Sequence, residues 1–216
     1  MPEPNWDINA EEKALIIIDM QNGFCDKRGF MCQLGLDIDQ CIAAVDPLRE
    51  VLQRCRELEI PVIFTRYWLR PDYQDAGLFE DLFPGSHQIQ AMVAGTWDAD
   101  IFDALAPVDG EYIIDKQRYS AFYETNLDLI LRDLGTTMTV ITGVTTNICV
   151  ESTVRDALFR NYKPVILEDC TGAVDELMHK GALHTFRYGM GDVVSSEEFL
   201  AKVRPNPSAG VSAAAQ

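Results

Sequence analysis

A chain of 216 residues with 47% hydrophobic and 24% charged side chains has the composition of a folded globular protein, which excludes collagenous, coiled-coil and disordered classes. Its 18 basic and 34 acidic residues leave a formal charge of −16, a surface that repels phosphate backbones and anionic lipid, so neither nucleic acid nor membrane is expected as a partner. No basic, apolar leader opens the chain and the longest apolar run, Ala14–Ile18, is far too short to span a bilayer, so the expected compartment is the cytoplasm.

In chain order, Ala14–Ile18 is short, continuous and β-branched, and reads as a buried strand ending at Asp19. A Gly-containing loop leads to a helix with the stripe Ile42, Val45, Leu48, Leu52, Cys55 and Leu58, then to a second strand, Pro61–Thr65. From Arg66 to Gly95 the chain is rich in Pro, Gly, Asp and aromatics without a period, the mark of a binding loop or lid. Tyr112–Asp115 is the third strand. Thr125-x-x-Asp128 reads as a capping box for a helix through Leu127, Ile130, Leu131 and Leu134, closed by Gly135. Thr139–Thr142 is the fourth strand, followed by Gly143 and a helix carrying Val150, Val154, Ala157 and Leu158. Pro164–Leu167 is the fifth, followed by a helix over 175–188, a short strand Asp192–Val194 and a last helix from Ser196. This alternation predicts an α/β fold, a doubly wound, mainly parallel six-stranded sheet with helices on both faces in three Rossmann-like layers. Residues 1–204 read as a single domain, and the Ala/Ser/Pro-rich 205–216 as a disordered tail.

Ligands of such sheets bind beyond the carboxyl ends of the strands, and reactive side chains gather there. Asp19 follows four aliphatic residues, where a carboxylate needs a partner, and Lys116 at the end of the third strand can provide it. Cys149 stands at a helix start after Gly143, where the helix N-terminus would lower its pKa and present free N–H groups to an oxyanion. A carboxylate, an ammonium and a thiol fit nucleophilic catalysis as base, electrostatic support and nucleophile; they equally fit a structural ion pair and a buried thiol. Phe24, Tyr119, Phe122, Trp68 and Trp97 either line a pocket or pack the core, and Gln21 either orients Asp19 or caps a strand end. Arg66, Arg70 and Arg118 are candidates to grip a substrate carboxylate. No two of the six cysteines have C-x-x-C spacing, and Cys170 reads as structural. His87, His179 and His184 lack ligand spacing, the last two reading as helix-surface residues, so no metal and no other cofactor is expected. No G-x-G-x-x-G follows the first strand, which counts against a nucleotide binder.

Three segments, LIIIDMQN at 15–22, DKQRYSAF at 115–122 and GVTTNICV at 143–150, resemble in order and spacing the signatures of the isochorismatase-like cysteine hydrolases. The resemblance spans residues 13–200. It implies an α/β sheet flanked by helices, a catalytic triad of Asp19, Lys116 and Cys149, and a cis peptide before Thr145. It also implies an oxyanion hole made by the Thr145 and Cys149 backbone N–H groups. KQRYSAF at 116–122, CVESTVRD at 149–156 and LEDCT at 167–171 are most similar to ureidoacrylate amidohydrolases. IIDK at 113–116 and LEDCTGA at 167–173 are similar also to biuret and triuret hydrolases. AGTW at 94–97 matches only half of the double glycine common in the family. TRYWLRP at 65–71 holds no His where metal-binding nicotinamidases of the family carry Asp-x-His, and Cys149 points away from true isochorismatases.

The activity so implied is a cysteine-dependent amidohydrolase that cuts a terminal carbamoyl or ureido C–N bond of a small substrate and releases ammonia through a covalent acyl-enzyme. The resemblance further implies a homo-oligomer, a dimer or tetramer. The alternatives are an amidase on another small amide, of N-carbamoyl amino acid or nicotinamide type, and a non-catalytic interaction module of the same fold. An Arg in the pocket favours ureidoacrylate; an uncharged pocket favours biuret or triuret.

Overall fold

The computed structural model describes residue 4 and residues 6–209. Its strands are β1 (Lys13–Ile18), β2 (Val62–Tyr67), β3 (Tyr112–Lys116), β4 (Met138–Val144), β5 (Lys163–Gly172) and β6 (Asp192–Val194). They form one six-stranded sheet in the order β3-β2-β1-β4-β5-β6, and every neighbouring pair is parallel, so the sheet expected to be mainly parallel is wholly so. The helices are α1 (Asn22–Cys25), α2 (Phe30–Gln33), α3 (Asp39–Ala43), α4 (Val45–Glu57), α5 (Phe79–Leu82), α6 (Leu127–Asp133), α7 (Glu151–Phe159), α8 (Glu176–Gly189) and α9 (Ser196–Lys202).

The two-residue repeat of β1 explains the three layers. Leu15 and Ile17 point into a core with Leu48, Leu52 and Cys55 of α4 and Phe199 of α9, whereas Ala14, Ile16 and Ile18 point into a second core with α6, α7 and α8. Every residue of β1 is buried, as a central parallel strand covered on both faces must be.

Three local expectations change. β5 continues beyond Leu167 because an irregularity opposite Ile141 and Gly143 lets Thr171 and Gly172 pair with Gly143 and Val144. Glu168, Asp169 and Cys170 therefore lie inside a strand, not beyond its end. The capping box at Thr125 does not form: Asp128 pairs with Arg132 and accepts from the Tyr162 hydroxyl instead, while Ser195 and Glu198 make a capping box that opens α9. The tail expected from residue 205 is docked as far as 209. Asn206 Oδ1 accepts from the Lys13 backbone (3.1 Å) and from Lys13 Nζ (3.0 Å), and Ser208 binds Glu12. Lys13 is fully buried, and a buried ammonium has to find acceptors, here Asn206 and the Glu11 carbonyl at 3.2 Å. Residues 210–216 lie outside the described residues. No helix among the described residues is long and apolar enough to cross a membrane.

Candidate active site

After β1 the chain crosses to β2 on one side, and after β3 it crosses back to β4 on the other. The carboxyl ends of β1 and β4 thus form a topological switch point, where an open α/β sheet leaves a crevice. Asp19 follows β1 with φ 51°, a left-handed conformation that Asp tolerates better than most side chains. Its Oδ1 accepts from Thr65 Oγ1 at 2.7 Å, and Thr65 stands opposite Ile18 in the β1–β2 register. Its Oδ2 lies 2.6 Å from Lys116 Nζ, both side chains fully buried.

Lys116 connects the three groups. Its ammonium donates to the Arg118 carbonyl at 3.0 Å and to Cys149 Sγ at 3.6 Å, and sits 4.7 Å from the centre of the Tyr67 ring. Burial works against that charge, but Asp19 and Cys149 outweigh it, so the Lys116 pKa lies above its ordinary value. Cys149 moves contrary to expectation. Burial pushes its thiol well above 9.0, with Lys116 pulling the other way and Asp19 adding to the rise. That direction is opposite to the one a helix N-terminus alone would give.

The loop before Cys149 is fixed by its neighbours. Gly143 has φ +103°, and a Cβ there would stand 2.0 Å from the Ile18 carbonyl oxygen, so no other residue fits. The Val144–Thr145 peptide is cis, as the resemblance implies. The Thr145 carbonyl accepts from the Ile148 and Val150 N–H groups, closing a π turn over Thr146–Val150 that runs into α7. His179 of α8 is not a plain surface residue: its Nδ1 shares a hydrogen bond of 2.8 Å with Thr146 Oγ1 and half-burial lowers its pKa.

Cys149, Thr145, Asn147 and Ile148 open onto a cavity of about 230 Å³. Its aromatic wall is Phe24, Phe30, Tyr67, Phe79, Phe83 and Tyr119. Of the residues expected to touch substrate, Phe24 and Tyr119 line this cavity. The others are not among those lining it. Gln21 spends its amide on backbone, donating to Tyr67 O and Ala99 O and accepting from Tyr67 N, so it pins two loops to the sheet. Phe122 is buried in the second core, stacked on Tyr162. Arg66 pairs with Asp115 and lies over the Trp68 ring, which accounts for both. Trp97 is 41% exposed beneath the Arg28 guanidinium. Arg70 pairs with Asp72, and Arg118 donates to the Asp75 and Gln117 carbonyls. Cys170 is fully buried in the core, where burial raises its thiol pKa. Among the described residues no three of His, Cys, Asp or Glu converge as metal ligands would.

Sequence reasoning missed Thr65, Tyr67, Phe79 and Phe83. Thr65 and Tyr67 were legible as carboxyl-end residues of β2. Phe79 and Phe83 come from the aperiodic stretch after β2, which gives no sign of where its aromatics fold back.

Residues 13–198 match the isochorismatase domain. The ureidoacrylate amidohydrolase RutB of Methylorubrum extorquens is 34% identical over 92% of this chain and 86% of its own. A cysteine hydrolase structure from Pseudomonas syringae pv. phaseolicola superposes with TM-score 0.85 at 31% identity, covering 94% of this chain and 97% of that one. N-carbamoylsarcosine amidase from Thermoplasma acidophilum superposes with TM-score 0.70 at 29% identity, over 86% and 97% of the two chains.

Proposed function

The chain belongs to the isochorismatase family, and on that premise we propose that it is a hydrolase of C–N amide bonds that cuts the terminal carbamoyl group of a small ureido or amide substrate with Cys149 as nucleophile. The observation that carries this reading is the contact of Lys116 with both Asp19 and Cys149, directly behind the sulfur that opens onto the cavity.

Asp19 accepts the thiol proton as Sγ attacks the carbonyl carbon. Lys116 stays charged throughout and balances whichever of the two partners carries the negative charge. The carbonyl oxygen becomes an oxyanion, for which the Thr145 and Cys149 N–H groups are the donors; losing one such donor typically costs ~10²–10³ in turnover. Collapse of the tetrahedral intermediate breaks the C–N bond, Asp19 returns its proton to the nitrogen, and ammonia leaves an acyl-thioester on Cys149. Water then attacks that carbonyl with Asp19 as base, releasing the acid or carbamic acid and restoring the thiol. A raised thiol pKa suits this scheme, because proton and nucleophile move together instead of relying on a preformed thiolate.

The same reading takes the chain as one catalytic domain, cytoplasmic and homo-oligomeric. All six cysteines are free, as in a reducing compartment, and Phe159, Leu177 and Tyr188 expose apolar side chains on α7 and α8, a surface a second copy can cover. Ammonia release from ureidoacrylate, biuret, triuret, an N-carbamoyl amino acid and nicotinamide, with and without chelator, tests the activity. Chelator-resistant release from at least one is expected. No release from the panel or from a broader amide set would leave a fold without this chemistry.

A further inference from the structure

We propose that the substrate is uncharged, and that its body beyond the scissile C–N bond is apolar and about the size of a ring. This rests on the assignment of Cys149 as nucleophile and goes on to name the kind of molecule that reaches it.

Around Cys149 the cavity is lined mainly by rings, thioethers and aliphatic side chains. Met31 and Met178 join the six aromatics, and no Lys, Arg, Asp or Glu is among the described residues lining the cavity. A carboxylate placed there gives up its hydration and meets no cation. The three arginines near the strand ends are already engaged. Arg66 is held by Asp115 and Trp68 and Arg70 by Asp72. Arg118 lines an adjoining pocket that shares Tyr67, Phe79 and Tyr119 with this one, but its guanidinium packs against Gly77 and donates to the Asp75 and Gln117 carbonyls. Asp19 and Lys116 pair with each other behind the sulfur, so they add no net charge. The molecule's charge of −16 also repels an approaching anion.

Size argues for an apolar body as well. A cavity of roughly 150 Å³ lined by Leu, Ile and Phe takes up benzene. At about 230 Å³ this one has room for a ring in addition to a carbamoyl group. A small, wholly polar ureide such as biuret would leave the wall of Phe79, Phe83 and Met31 facing nothing. Aromatic edges and methionine sulfur are adaptable partners for a ring.

The test compares kcat/KM of the wild-type enzyme for benzylurea, its carboxylated counterpart N-carbamoylphenylglycine, ureidoacrylate and biuret, following ammonia, with Cys149→Ala as the blank. Benzylurea is expected to exceed each carboxylated compound by at least about 100-fold, the scale of an unpaired buried carboxylate. It is also expected to exceed biuret. Parity with, or preference for, either carboxylated compound overturns the charge part; preference for biuret overturns the apolar part. If no compound in this or the broader set gives Cys149-dependent ammonia, the assignment of the nucleophile itself fails, and this proposal with it. Leu36, half-buried on the cavity wall, gives a second reading. Leu36→Arg supplies the missing cation and is expected to raise kcat/KM for N-carbamoylphenylglycine at least tenfold; a folded variant without that gain contradicts the proposal.

Discussion

At the residue scale the proposed chemistry turns on where the protons of Cys149 and Lys116 reside. Burial pushes the Cys149 thiol up, so reaction with a neutral alkylating agent such as iodoacetamide should keep accelerating above pH 9 and show no plateau near neutrality. A plateau between pH 6 and 8 would reveal a preformed thiolate and remove the need for Asp19 as base. Thr65→Val deletes the hydroxyl that donates to Asp19 Oδ1 while keeping the side chain's shape. It should lower kcat about tenfold, equivalent to ~1.4 kcal/mol, with little change in KM or melting temperature. An unchanged kcat would make that hydrogen bond incidental. Asp19, Lys116 and Cys149 were legible because each breaks an apolar or glycine-rich strand end where a reactive group is costly. The depth of burial that reverses the Cys149 shift was not, since it depends on what packs over the helix start from elsewhere in the chain.

At the scale of elements, the strands announced themselves by their apolar runs, and the parallel order followed from alternation with helices. Boundaries were harder. The extension of β5 to Gly172 depends on its pairing with β4, and the pocket wall comes from a stretch without period. Asp98 shows how that stretch is organised. Its carboxylate accepts from Phe30 N and Met92 N, both at 2.9 Å, tying α2 to the end of the long loop. Asp98→Asn can satisfy at most one of those donors through its oxygen, so it should cost roughly 1–3 kcal/mol of stability and raise KM by loosening Phe30. Equal stability and KM would mean that the wall is held by packing alone. Gly143 bears a heavier constraint, where β4 passes the Ile18 carbonyl. Gly143→Ala should destabilise by on the order of 4 kcal/mol or more, read by chemical denaturation.

For the whole molecule, the two ends of the described chain meet at the foot of β1. Asn206 satisfies the buried Lys13 ammonium, which composition alone could not disclose, because Ala, Ser and Pro around it read as a tail. Asn206→Ala leaves that ammonium short of an acceptor and should cost ~1–3 kcal/mol, a melting shift of a few degrees for a chain of this length. A melting temperature unchanged within a degree would show that the docked segment is ornamental. Sheet, switch point and cavity together direct one sulfur, backed by one carboxylate and one ammonium, at a small apolar chamber. The most direct measurement is therefore ammonia release by wild type and by Cys149→Ala on the best substrate of the panel. The account predicts a loss of at least about 10³ in kcat, in keeping with removal of a covalent nucleophile. A Cys149→Ala protein that turns over at a comparable rate would contradict it.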